Sequence, residues 1–141
     1  MKWRMTRSEF EKLVEESFER LPLWVREKIT NVAVLIDDEP SDEVRRQEGL
    51  ADDETLLGLY HGIPLAARGE NYGVGMTLPD TITLYQIPIE EEARDILRVY
   101  ETRIFKEVVK EVVAETIWHE FAHHFGMDEG EVRARERKHK E

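Results

Sequence analysis

An α+β domain is the fold class that this sequence predicts, on three observations. Residues 32–36, 56–61 and 81–87 are short apolar, β-branched or aromatic runs, and turn-forming residues flank them. Phe10, Leu13, Val14, Phe18 and Leu21 recur at helical spacing near the N-terminus. Residues 89–125 contain neither Gly nor Pro, so the C-terminal part is helical.

Each element has a local cause. Ser8 is positioned to cap the first helix, with Glu11 three residues later completing a capping box. Pro22 suits the first turn of a short second helix over 23–28, and Asn31 punctuates it. Val32, Val34 and Ile36 alternate within the first strand. Residues 37–53 are acidic, contain Pro40 and Gly49, and read as a loop with one helical turn near 43–47. Ile63-Pro64 ends the second strand. Residues 66–79 hold Gly69, Gly73, Gly75 and Pro79 and read as a plain connection or a substrate-binding rim. The third strand, 81–87, is stopped by Pro88. A single helix over 89–125 would span about 55 Å, against a radius of gyration near ~14 Å for a domain of this size. A break near 100–103 is therefore expected. The first of the two helices would bury Ala93, Ile96, Leu97 and Tyr100, and the second Phe105, Val108, Val109, Val112, Val113, Thr116 and Ile117. Residues 1–130 are expected to form one domain, with 131–141, dense in charge of both signs, as a solvated tail.

Composition narrows the function classes. Charged residues make up 36% of the chain, against about 25% in a typical soluble domain, a bias compatible with heat adaptation. The net charge of -11 argues against nucleic acid or an anionic membrane as a partner, because phosphate binding needs a basic face. It favours metal cations and basic peptides as a diffuse field. There are no cysteines, so disulfides and thiolate metal sites are excluded. No signal peptide is visible at the N-terminus and no run of about 18 apolar residues occurs, so a cytoplasmic location is expected.

His119, Glu120 and His123 form the pattern His-Glu-x-x-His on the last helix. Residues four apart stack on one helical face, so His119 and His123 can bring two imidazole nitrogens to one Zn2+ ion at roughly 2.0–2.1 Å. Glu120 lies about 100° around the helix from His119. That suits a general base taking a proton from water beside the metal. With 5 His and many Glu in the chain, the pattern would arise by accident in roughly 3% of shuffled sequences, and with Gly three residues later in roughly 0.2%. The alternative of an ordinary helix end with two surface histidines is thereby disfavoured.

A catalytic zinc site needs a third protein ligand. The 18 residues after His123 read mostly as tail, so a ligand from a separate downstream helix is not expected. In the alternative pattern, His-Glu-x-x-His-x-x-Gly-x-x-His, the chain turns at a Gly and returns a ligand at once. Gly126 sits at that turn, where it can end the helix in a left-handed conformation. Glu129 occupies the third-ligand position; Asp128 and then Glu131 are the alternatives. His124 points away from the ligand face and reads as a packing or hydrogen-bonding residue, as does Met127.

Three stretches together resemble the small bacterial zincin-like metallopeptidases, or minimal zincins: residues 56–65, residues 78–85, and Trp118-His119-Glu120 through Gly126-Met127-Asp128-Glu129. With the size they cover about half the chain. In that family the segment after the strand-and-turn element ends in Arg, here Arg68, and the position of Glu129 is more often Asp. The larger relatives' Met-turn is absent. The resemblance implies a small mixed sheet flanked by helices, with the metal-binding helix under the sheet, and a peptidase acting on peptides or proteins.

The resulting expectation is zinc-dependent hydrolysis of peptide bonds. Glu120 would accept a proton from the attacking water and return it to the leaving amine. A sheet edge beside the metal helix, with residues 69–77 as the candidate, would hold the substrate as an added strand. Tyr72 and Tyr85 read as packing residues rather than oxyanion donors. Two other classes compete. One is a non-catalytic zinc or interaction module closed by a fourth ligand. The other is a metal-dependent nuclease, disfavoured by the acidic balance and by Glu120 after the first His.

Overall fold

A computed structural model describes residues 4–62, 80–100 and 102–124. The order is α1 (Arg7–Ser17), a 3-10 turn Phe18–Arg20, α2 (Leu23–Lys28), a second 3-10 turn Ile29–Asn31, β1 (Val32–Asp37), α3 (Asp42–Gln47), β2 (Gly58–His61), β3 (Asp80–Tyr85), α4 (Gln86–Val99) and α5 (Phe105–His124). The sheet order is β1-β3-β2. β3 runs parallel to β1, with Val34 opposite Ile82, and antiparallel to β2, with Tyr60 opposite Ile82. This is the small mixed sheet flanked by helices that the family resemblance implies. Ile82 and Leu84, on the central strand, are fully buried.

The core is organised around α5. Its buried residues are Val108, Val109, Val112, Val113, Ala114, Thr116, Ile117, Trp118, Phe121 and Ala122, and no single narrow stripe holds them all. A helix apolar on most sides needs cover on most sides. α1, α4, β2 and β3 all pack on it, which offsets the modest helix propensity of its valines. Trp24 of α2 meets Trp118 edge-on at 5.5 Å and Phe121 at 5.8 Å.

Several local expectations are corrected. The N-cap of α1 is Thr6, not Ser8: its backbone is extended, its side chain accepts from the Glu9 N–H, and Glu9 reaches back to close the box. Both Thr6/Glu9 and Ser8/Glu11 fit the capping pattern. The earlier start puts Arg7 on the helix, where its Nε donates to Gln86 Oε1 and its guanidinium to Ile36 O. The third strand ends at Tyr85, and Gln86 and Ile87 open α4. Pro88 sits inside that first turn, where a missing N–H leaves no helical bond unmade. Tyr100, expected in the core, is exposed, because α4 ends at Val99 and Tyr100 leaves helical geometry as its cap.

The break between the last two helices falls where length required it, and α3 is capped by Ser41 and followed by Gly49 at φ 67°. The second strand begins at Gly58 rather than at 56. Residues 63–79, which include the proposed substrate edge, and the 131–141 tail lie outside the described residues. Among the described residues no helix is long and apolar enough to cross a membrane.

Candidate metal centre

The last turns of α5 lie beneath β2, and one glycine sets the spacing. A Cβ on Gly58 would fall 2.7 Å from Thr116 Cγ2 and 3.1 Å from Thr83 O. Only a residue without a side chain lets β2 approach the helix this closely. One turn further along α5 come His119, Glu120 and His123.

The two imidazoles occupy one face, with ring centres 6.3 Å apart and planes at 71°. His119 Nδ1 lies 2.9 Å from the Glu115 carbonyl oxygen, one helical turn back. A carbonyl only accepts, so in this contact Nδ1 carries the proton and Nε2 is the nitrogen that bears the lone pair. Glu120 is half-buried. Its Oε1 accepts the Tyr60 backbone N–H at 3.2 Å. Tyr60 sits on the edge strand, and this N–H points off the sheet toward the helix rather than into the ladder. Burial pushes the Glu120 carboxyl above the usual carboxylate range. The Tyr60 N–H and then His123 act against that rise, Glu48 adds to it, and His119 opposes it.

Two imidazoles on one tetrahedral ion at 2.0–2.1 Å would hold their ring centres about 5 Å apart. The observed 6.3 Å is about an ångström wider, and the His123 ring is exposed. The donors fit zinc in kind: two imidazoles, one of them held by its own helix through Nδ1. Among the described residues no third His, Cys, Asp or Glu joins them to complete a metal-holding group. Glu129, with its alternatives Asp128 and Glu131, lies outside the described residues.

His124 has a distinct role. Its ring stacks on Tyr60 at 3.9 Å and 20°, and its Nε2 lies 3.8 Å from Asp80 Oδ2. Tyr60 donates its hydroxyl to the same oxygen at 2.8 Å. A Cβ on Gly62 would meet His124 Cε1 at 2.7 Å. The strand that presents its N–H to Glu120 is thus clamped from both sides. Sequence reasoning placed His124 as a packing residue but missed Tyr60, Asp80 and the Glu115 carbonyl. The Glu115 contact was legible from i, i+4 spacing; the Tyr60 contact, 60 residues away, was not. Tyr85 is buried in the core, in keeping with a packing role, and Tyr72 lies outside the described residues.

Two imidazoles one turn apart with a carboxylate between them are the donor set of the His-Glu-x-x-His metallopeptidases. A family model of zincin-like metallopeptidases matches residues 29–139, and the chain belongs to that family. No curated protein matches the chain.

Proposed function

We propose that the protein is a zinc-dependent peptidase in which His119, His123 and Glu129 hold the metal and Glu120 is the general base. The reading is carried by one observation: on a single turn of α5, beside two imidazoles, a half-buried carboxylate is held by a backbone N–H. Membership of a metallopeptidase family supports zinc and a peptide or protein substrate in general terms. The family match runs through Glu129.

A bound zinc supplies Lewis acidity, polarising a carbonyl and lowering the pKa of water. The chain's own groups do the rest. The Glu115 carbonyl holds the His119 ring through Nδ1, which makes Nε2 the nitrogen that would meet the metal. The Tyr60 N–H occupies Glu120 Oε1 and fixes the carboxylate. Oε2, which has no hydrogen bond among the described residues, takes a proton from the attacking water and delivers it to the departing amine nitrogen. The raised proton affinity of Glu120 suits a group that must both accept and release a proton near neutral pH.

Glu120→Gln preserves the shape and the Tyr60 contact but cannot take a proton. Peptide turnover is expected to fall by at least about 100-fold, with zinc content unchanged. A variant that cleaves as fast as the parent removes Glu120 from this role.

A further inference from the structure

A cavity of about 340 Å³ opens beside the candidate centre, between the approach to β2, α4 and α5. His119 and Glu120 form part of its wall, so whatever fills it lies against the proposed reacting groups. We propose that it is a side-chain pocket that selects a lysine or arginine of the peptide substrate next to the bond that is cut. The inference rests on the peptidase reading above and names its substrate class.

Size comes first. Ligand pockets span roughly 300–1,000 Å³, so this one suits a single long side chain rather than a larger ligand. Its inner surface is apolar, formed by Leu57, Gly58, Ile96 and Val112, with the Thr116 methyl group against Gly58. Its outer wall carries Glu92 from α4 and Glu115 from α5, both exposed. Lysine and arginine have that same division, an aliphatic stem and a charged tip that stays near water.

The two carboxylates are also available. Several other acids on these helices are matched by cations: Glu90 with Arg94, Asp95 with Arg98, Glu107 with Lys110. Among the described residues Glu92 and Glu115 have no ion-pair partner. A basic side chain would supply the missing charge without losing its own hydration. An apolar side chain would fill the inner surface and leave the rim unanswered. An acidic one would be repelled by Glu92, Glu115 and the overall net charge of -11. Exposed carboxylates each contribute a factor of a few in water, so the two together set a preference of roughly tenfold.

The test uses zinc-loaded protein and a mixture of ten-residue peptides identical except for Lys, Arg, Met or Glu at one varied position, with products mapped by mass spectrometry. Cuts beside Lys and Arg are expected roughly tenfold faster than beside Met, with Glu slowest. The preference should shrink toward unity in 1 M NaCl. In Glu92→Lys/Glu115→Lys, it should reverse between Lys and Glu. Melting temperature and zinc content check that this variant is folded, and Glu92→Gln, which should weaken the preference severalfold, replaces it if it is not. Equal cleavage of all peptides, or a preference that neither salt nor the substitutions alter, overturns the pocket and leaves the peptidase standing. No cleavage of any peptide by the zinc-loaded parent overturns both.

Discussion

At Glu120 two demands oppose each other. The carboxylate must be close to the imidazoles and shielded enough to hold a proton, and the same shielding makes its charge costly. Burial raises its pKa in the metal-free protein. A carboxyl with a raised folded-state pKa contributes stability in its protonated form. That contribution is complete below the unfolded value and is lost as pH rises through the folded one. At neutral pH the ionised group is therefore a net burden. Gln at this position still accepts the Tyr60 N–H without a charge to desolvate. With metal removed by chelator, Glu120→Gln should melt higher than the parent at pH 7, and the two should converge near pH 4. Calorimetry across that range checks it; a parent that melts higher at pH 7 contradicts the burial argument. His119 shows the complementary design, a ring fixed by its own helix through the Glu115 carbonyl.

The pairing of β2 with α5 is what turns a helix with two histidines into a shaped site. Gly58 permits the approach, and the strand then brings the Tyr60 N–H to Glu120. Gly58→Ala forces Thr116 Cγ2 or the strand to move, and overpacking of this kind costs about 1–3 kcal/mol. Thermal denaturation should show a drop of roughly 3–10 °C. Thr116→Ser removes the opposing methyl group and should recover part of that loss in the double variant. Additive losses would mean that the two residues do not press on each other.

The elements differ in how far they could be read in advance. α5 was legible because its valines repeat at helical spacing over many turns, and so was the break before it, because a helix spanning both segments would not fit the domain. β1 was legible from its alternation. The boundary between β3 and α4 was not. Pro88 is compatible with both a strand stop and a helix start, and only the packing of Gln86 and Glu90 decides between them. The cap of α1 was ambiguous for a similar reason, since two overlapping Ser/Thr-x-x-Glu patterns competed and a tertiary contact of Arg7 chose one. The histidine pair and Glu120 were legible because the chemistry is local to one turn. Tyr60 and Asp80 belong to strands that meet the helix only on folding.

At the scale of the whole molecule, a buried polar network ties the N-terminal segment to α4. Glu90, fully buried, accepts the Met5 N–H at 3.2 Å and Gln86 Nε2 at 2.8 Å, and Gln86 also donates to Met5 O at 2.9 Å. The chain before α1 is thereby joined to α4. Glu90→Ala would leave two buried donors short of an acceptor and open a cavity, a loss of about 3 kcal/mol. Urea denaturation measures it; a loss under about 1 kcal/mol would show that water replaces the carboxylate. A surface lattice of Arg20, Arg103 and Lys110 with Glu16, Glu107 and Glu111 links α1 and its 3-10 turn to α5. Single exposed pairs contribute little, but such networks matter more at high temperature. On α5 these ion pairs fall at Glu107, Lys110 and Glu111, before the turns that carry the histidines.

The proposed peptidase depends on one zinc ion held between His119, His123 and a carboxylate supplied beyond Gly126. Elemental analysis of protein dialysed against one equivalent of zinc, with His123→Ala and Glu129→Ala treated identically, tests it most directly. One zinc per parent chain is expected, with almost none on His123→Ala and a large loss on Glu129→Ala. Zinc retained at full stoichiometry by His123→Ala, or absent from the parent, would contradict it.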